Sequence, residues 1–523
     1  MANISFYGSH NAAVAVESDG HLITVIEIER FLSIKNAGYT QYLPSYTRPF
    51  LIRHLLEYIE EKHGISAFET CYYLNTDAYD DGKFTHYQEY IPAQKYVNCL
   101  HHLSHAACGF YQTDYDKALI VSFDGGGNDG YFNIYLAQDR SGIDLLEKFD
   151  LDLGFPYMSF GDYLNDIQKE HALSIGNLVY PGKLMGLCSY GKLNENWLPH
   201  FEHYYRSKPD GSNYLKLLEE LGEKINLTFD PQNRFVGQVA WDIAKTSQIA
   251  FENVFLEMVQ PFLDQYPDFP LILVGGCALN ILLNTRLKET LNRPVFVPPN
   301  PNDCGIATGM ILNHIKPEKA MDVTYAGIEI LDKNTLMTYV EDKRGNQLNL
   351  TTLAKDLSDG KIVGVVRGTS EHGPRALGNR SILCNPAHPD MKKVLNTNVK
   401  NREWFRPFAP VCRLEDVEKY FHFSGESRWM SFCPTVREEW RERLKAITHV
   451  DNTARVQTVT QKQNPWLYQL LGEFEKYSGF GVLLNTSFNI NGKPLLSRYA
   501  DAITVFEQTH LDRLVLADYY FTK

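Results

Sequence analysis

Two short apolar runs that end in glycine constrain this fold more than anything else in the chain. Leu119-Ile120-Val121-Ser122-Phe123 leads into Asp124-Gly125-Gly126-Gly127, and Leu271-Ile272-Leu273-Val274 leads into Gly275-Gly276-Cys277-Ala278-Leu279-Asn280. Runs of that length bounded by glycine read as buried strands ending in tight turns. The first is followed by two further strands, over 131–137 and 143–149, and the second by a helix. Glycine permits close backbone approach and helix N-termini present free N–H groups. Two such turns opposite one another therefore suit nucleotide phosphates held between two lobes. Neither is a P-loop, because no GxxxxGK[ST] occurs, and plain turn geometry is the alternative reading of each.

Upstream of the first turn stands His101-His102-Leu103-Ser104-His105. The neighbours Ala106, Ala107, Phe110 and Tyr111 suit a helix, which places His101 and His105 one turn apart on one face. Two such imidazoles can hold one metal ion, and Asp124 at the strand end can complete its coordination. Asp303 offers a fourth ligand from another strand-to-helix turn, after Pro298-Pro299-Asn300-Pro301-Asn302. Imidazole nitrogens with carboxylate oxygens suit iron(II), zinc or manganese. The alternative is a buried histidine pair, with Asn302 or Asp303 as a helix cap. His102 is left outside the ligand set.

The remaining pattern is α/β. Strands are expected over 4–7, 12–17 and 22–28, with Asp19-Gly20 as a hairpin turn, then a helix over 47–63 and a strand near 71–74. Residues 155–266 read as largely helical, interrupted at Tyr180-Pro181-Gly182-Lys183 and Tyr190-Gly191-Lys192. A chain of 523 residues exceeds a single core. The expected division is 1–320, a connection over 321–350, and a second αβ unit over 351–523. That unit has strands over 362–367 and 482–484 and helices ending at 358 and spanning 390–399. No solenoid repeat is visible. The net charge of −12 disfavours a nucleic-acid surface. No apolar run approaches a membrane span, and the N-terminus lacks a signal-peptide pattern. Nine cysteines without a CxxC pair read as reduced thiols in the cytoplasm.

Against that acidity two cationic stretches stand out. Glu371-His372-Gly373-Pro374-Arg375-Ala376-Leu377-Gly378-Asn379-Arg380-Ser381 carries two arginines in a loop shaped by Gly and Pro. Lys400-Asn401-Arg402-Glu403-Trp404-Phe405-Arg406-Pro407-Phe408 adds three cations among aromatics. Guanidinium forks match phosphate and carboxylate oxygens. A small phosphorylated ligand, single-stranded RNA or a solvated charged face all fit the pattern.

The order of HHLSHA, DGGG, GGCALN, PNPNDCG, EHGPRALGNRSIL, KNREWFRPFAP and LLNTSFN resembles the NodU/CmcH-type O-carbamoyltransferases over nearly the whole chain. The resemblance implies an N-terminal domain of the actin-like ATPase (ASKHA) superfamily, similar to the threonylcarbamoyltransferase fold, and a YrdC-like C-terminal domain. It implies that the C-terminal domain makes carbamoyl-adenylate from carbamoyl phosphate and ATP, with Mg. The N-terminal domain would then pass the carbamoyl group to a small-molecule hydroxyl, of a natural product or sugar, beside an iron-type metal. Carried over by position, His101, His105, Asp124 and Asp303 would hold the metal. Gly126, Gly275, Gly276 and Asn280 would hold the adenylate. Arg375, Arg380, Lys400, Arg402 and Arg406 would line the carbamoyl phosphate and ATP pocket, with Asn485 and Ser487 opposite. His10 and Lys35 would stand near the transfer site, His10 taking the hydroxyl proton or orienting the acceptor. The expected protein is cytoplasmic, binds neither nucleic acid nor membrane, and is a homodimer by default. A tRNA threonylcarbamoyltransferase relative and a nucleotide-binding regulatory protein are the competing readings.

The chain departs from the family pattern at Asn11 (usually Asp), at Ser33 and Thr369 (each usually Arg), and at His372 (usually Phe). Arg367, two residues before Thr369 on one face of a strand, is in position to compensate.

Overall fold

In the computed structural model, which describes residues 2–38, 47–74, 87–167, 178–209, 212–388, 390–490 and 492–523, the first ten strands make two five-stranded sheets. The first contains β1 (Ala2–Tyr7), β2 (Ala13–Ser18), β3 (His21–Glu27), β4 (Phe68–Tyr73) and β5 (Ala93–Asn98), in the order β3-β2-β1-β4-β5. The second contains β6 (Ala118–Gly127), β7 (Gly130–Ala137), β8 (Asp144–Phe149), β9 (Leu271–Val274) and β10 (Val295–Phe296), in the order β8-β7-β6-β9-β10. In each sheet the first three strands pair antiparallel and the last two join in parallel. The second sheet thus repeats the first strand for strand. β9 is buried along its whole length, the reason it reads as an unbroken apolar run without alternation.

Each half is followed by a helix that crosses to the other half. The histidine helix, His101–Phe110, follows β5 yet packs on the second sheet, where Ala106, Ala107 and Phe110 share a core with Ile120, Ile272 and Val274. The helix Ile306–Ile315 follows β10 yet packs on the first sheet, through Ala307, Met310 and Ile311 against Tyr7, Ala13 and Ala15. The two helices lie against each other. They approach so closely that a Cβ on Gly309 would overlap the Ser104 carbonyl.

The third sheet has eight strands: β11 (Asn346–Gln347), β12 (Val363–Val366), β13 (Arg380–Cys384), β14 (Ala409–Arg413), β15 (Gln457–Val459), β16 (Val482–Ser487), β17 (Arg513–Leu516) and β18 (Tyr519–Thr522). Their order is β11-β18-β17-β12-β13-β16-β14-β15. The expectation of two strands here falls short because most of these are only three to five residues long. The helix Lys333–Lys343 lies within the expected connection over 321–350, and β11 pairs with β18 as an edge strand of this sheet.

Two local expectations need correction. Tyr180-Pro181-Gly182-Lys183 does not interrupt a helix but begins one, Tyr180–Cys188, with Pro181 in its first turn, where its missing N–H costs nothing. The glycines after Asp124 do not end their strand, because β6 resumes pairing at Gly127, opposite Gly130, after an irregularity. Of the expected helical region, residues 168–177 and 210–211 lie outside the described residues. Among the described residues no helix is long and apolar enough to cross a membrane.

Because nothing larger than a hydrogen fits between the central helices at Gly309, Gly309→Val should destabilise the protein by at least about 2 kcal/mol, as overpacking does. Urea unfolding would measure it.

Candidate metal centre and anion site

The crossing of the two helices brings four candidate ligands together. Nε2 of His101 and Nε2 of His105 stand 3.1 Å apart. Asp124 Oδ2 lies 4.0 Å from the first and 3.3 Å from the second, and Asp303 Oδ1 lies 3.7 and 3.5 Å from them. Atoms each bound about 2.0–2.2 Å from a common ion stand about 3–3.6 Å apart. Three of these five separations fall in that range and the other two, 3.7 and 4.0 Å, lie just beyond it, so the two imidazoles and two carboxylates gathered here offer a ligand set for a divalent cation. His101, His105 and Asp303 are buried and Asp124 is partly so. Burial opposes ionisation of both aspartates, yet His101 and His105 at Asp124, and His10 followed by His105 and His101 at Asp303, outweigh it and hold both below the usual carboxylate range. Burial likewise pulls His105 down, but Asp124 and Asp303 push it up to about 9.

Packing explains the neighbouring residues. Asp303 Oδ2 accepts a 2.5 Å hydrogen bond from the Tyr7 hydroxyl, which burial and then Asp303 keep protonated, and His10 Nδ1 lies 3.3 Å from the same oxygen. The β1–β2 turn thus braces one ligand. Asp124 accepts from the N–H groups of Gly125 (2.7 Å) and Gly276 (2.5 Å). Asn128 and Asp129, at the β6–β7 tip, accept from the N–H groups of His101 and His102 and so cap the histidine helix from outside. A Cβ on Gly127 would stand 2.6 Å from Cβ and Cγ of His101. The third glycine of the turn therefore makes room for the imidazole. His102 is bonded instead to Ser122 Oγ and Gly130 O, each at 2.8 Å.

The proposed adenylate residues all have packing roles. Gly275 has φ +92°, and a Cβ on it would overlap the Phe123 carbonyl. Gly276 orients Asp124. Gly126 lies against the Tyr131 ring. Asn280 caps the helix Ile281–Thr290 through Leu283 N–H and exchanges hydrogen bonds with Gln248.

The cationic loops form a second cluster. Burial first, and neighbouring cations second, pull four of its members below their ordinary values. Arg375 falls to about 10, with Arg406 beside it. Lys400 is lowered further beside Arg402, Arg406 and Lys35, and Arg402 beside Arg406 and Arg455. Arg455, lowered beside Arg375 and Arg406, is a member that the sequence reading missed. It stands alone between Ala454 and Val456, with no neighbouring cation to signal it. No hydrogen bond or ion pair joins Arg375 or Arg455 to another described residue. Like charges gathered in a partly enclosed site favour an anion among them. Arg375 also lines a crevice with Ala278, Leu279, Pro298, Pro299 and Trp429, on the side of the first half.

The other expected members sit as follows. Arg380 is fully buried, and its guanidinium donates to the carbonyls of Arg367, Gly368 and Asn379, so it orders the loop from within. Lys400 Nζ is held by Ser487 and Asn489, and Asn485 braces the Arg375 loop through Ala376 O and Gln457. Lys35 is close enough to Lys400 for their charges to interact.

The departures from the family pattern have structural partners. His372 bonds Glu27 at 3.0 Å and Thr308 at 2.8 Å. Ser33 receives a hydrogen bond from Arg498. Thr369 donates to Tyr325 O. Arg367 does not compensate for Thr369: it pairs with Asp518, bonds Ala517 O and stacks on Trp466. Asn11 lies beside His10, 3.2 Å from its Nδ1.

The chain matches the family description "Carbamoyltransferase N-terminus" over residues 91–312 and "Carbamoyltransferase C-terminus" over residues 354–523. It is 32% identical to the nodulation protein NolO of Bradyrhizobium diazoefficiens, over 81% of this chain and 78% of that one. It is 29% identical to the nodulation protein NolNO of Sinorhizobium fredii, over 98% and 79%. Identity reaches 38% with the 3'-hydroxymethylcephem-O-carbamoyltransferase of Streptomyces clavuligerus, over 49% of each chain. Among solved structures, full-length HypF in its phosphate- and nucleotide-bound form aligns with a TM-score of 0.37 and 15% identity, covering 60% of this chain and 46% of that one.

The state of His105 predicts a pH signature. Raised from 6.5 to about 9, it contributes stability to the metal-free protein that is complete below about pH 6.5 and lost as the pH rises through about 9. A bound metal takes the neutral imidazole and displaces that proton. Melting temperatures of chelator-treated protein should therefore fall between pH 6.5 and 9 relative to those of metal-loaded protein. A parallel course for the two would contradict this placement of His105.

Proposed function

The chain belongs to the carbamoyltransferase family and is a transferase, and on that premise we propose that it is an ATP-dependent O-carbamoyltransferase working at two sites. Carbamoyl phosphate, ATP and water give carbamoyl-adenylate, pyrophosphate and phosphate at the cation cluster. An acceptor hydroxyl then takes the carbamoyl group beside the His101–His105–Asp124–Asp303 centre, and AMP leaves. The duplicated five-stranded sheets support an actin-like ATPase reading of residues 1–320. We propose a YrdC-like identity for residues 351–523 on the resemblance of their motifs.

The observation that carries the reading is the contact between the two sites. The loop bearing Arg375 lies against the loop bearing Asp303, so closely that a Cβ on Gly373 would overlap the Pro299 carbonyl. A group of five cations with one carboxylate, Glu403, among them thus stands next to a group of metal-ligand type. Arg375, Arg402, Arg406, Arg455 and Lys400 offset charge on the phosphate oxygens and hold them in line. Iron(II), zinc or manganese, when bound, supplies a Lewis acid for the carbamoyl carbonyl. His10, against Asp303, is in position to take the proton of the attacking hydroxyl. The proposed acceptor is a small-molecule hydroxyl, of a natural product or sugar, rather than nucleic acid.

Pyrophosphate release from carbamoyl phosphate, ATP and Mg tests activation, and mass spectrometry of a hydroxyl library tests transfer. Arg375→Ala and Arg455→Ala should each lower pyrophosphate release by at least about 100-fold, the scale of losing a charge-assisted contact to the reacting group. His105→Ala should leave it within about threefold of wild type and abolish transfer. Equal loss of both activities in all three variants would refute the division into two sites.

A further inference from the structure

Glu403 is out of place in an anion site. It stands between Arg402 and Arg406 in the chain, pairs with Arg406 and acts on Arg402. Its Oε2 lies 3.4 Å from Arg406 Nη1, and its side chain is only 2% exposed. A buried negative charge there cancels one cation and repels phosphate. Its other oxygen, however, is 2.6 Å from Nζ of Lys183, itself 1% exposed and contributed by residues 1–320, on the helix Tyr180–Cys188 that packs with the second sheet. That helix is seated on the same block. Phe405 and Pro407 pack against Gly186, and His449 Nε2 bonds the Gly186 carbonyl at 2.9 Å.

We propose that Lys183 is a positioning residue of the anion site: by occupying Glu403 across the domain boundary it keeps the Arg406 guanidinium available to phosphate. The shorter contact, 2.6 against 3.4 Å, assigns Glu403 to Lys183. Arg406, 32% exposed, keeps most of its fork free. Without Lys183 the buried carboxylate has Arg406 as its remaining cation and draws it in, so the site loses one charge and one bidentate donor together. The inference rests on the anion-site reading above and not on which acceptor is carbamoylated.

Calorimetric binding of inorganic pyrophosphate to the full chain tests it apart from activity. Lys183→Met should weaken binding about tenfold, as loss of one charge-assisted contact does, whereas Lys183→Arg should leave it within about twofold. The double variant Lys183→Met/Glu403→Gln should recover wild-type affinity, because the charge that captures Arg406 is gone. A purely structural ion pair predicts the opposite, since the double variant still lacks the tether. Unchanged binding in Lys183→Met, a double variant as weak as the single one, or no pyrophosphate binding by wild type would each overturn the proposal. If Lys183→Met does not fold, the double variant is compared directly with wild type, and weak binding overturns it. Wild-type pyrophosphate binding without carbamoyl transfer would count against the proposed function alone.

Discussion

One buried guanidinium ties the two halves of this molecule together. Arg30, at the end of the first sheet, pairs with Glu27 and donates to the carbonyls of Glu371 and Gly373 in the arginine loop. Glu27 in turn accepts from Gly373 N–H and His372, and His372 reaches Thr308 on the helix that begins beside Asp303. All of these side chains are buried. A buried charge of this kind is costly to leave unpaired, so the loop that presents Arg375 and the helix that follows Asp303 hold one relative position. The geometry of both sites rests on that constraint.

The duplicated sheets explain where the first site lies. Equivalent hairpin turns, β1–β2 and β6–β7, supply Tyr7 and His10 from one half and Asp124 from the other. Equivalent helix starts supply His101 with His105, and Asp303. Each half thus gives one hairpin and one helix, and the crossing at Ser104 and Gly309 sets their spacing. The chemistry is asymmetric although the scaffold repeats, because the hairpins and helix starts carry different side chains.

The sequence was most legible where function follows from local spacing. The helical interval of His101 and His105 and the turn positions of Asp124 and Asp303 are written in neighbouring residues, and the fold brings all four together. It was least legible where partners come from afar. Arg380 looks like Arg375 in the sequence, yet three carbonyls enclose it, and only the tertiary path of the loop decides that. Arg455 lacks any local cluster. The sheet duplication is carried by strand order, which appears only once the strands are paired. Of the later strands, β13, β14, β15, β17 and β18 are too short to impose a hydrophobic period of their own, and their pairing across the sheet defines them.

Phe405 carries a consequence for how the molecule can be divided. Its ring belongs to the core around the second sheet although its backbone leads into β14 of the third. Burying a phenylalanine is worth about 2–3 kcal/mol, and here neither half collects that stabilisation alone. A cut between the two family segments would leave an aromatic ring in water on one side and a ring-sized hole on the other. The two segments are distinct in topology, yet one carries part of the other's core.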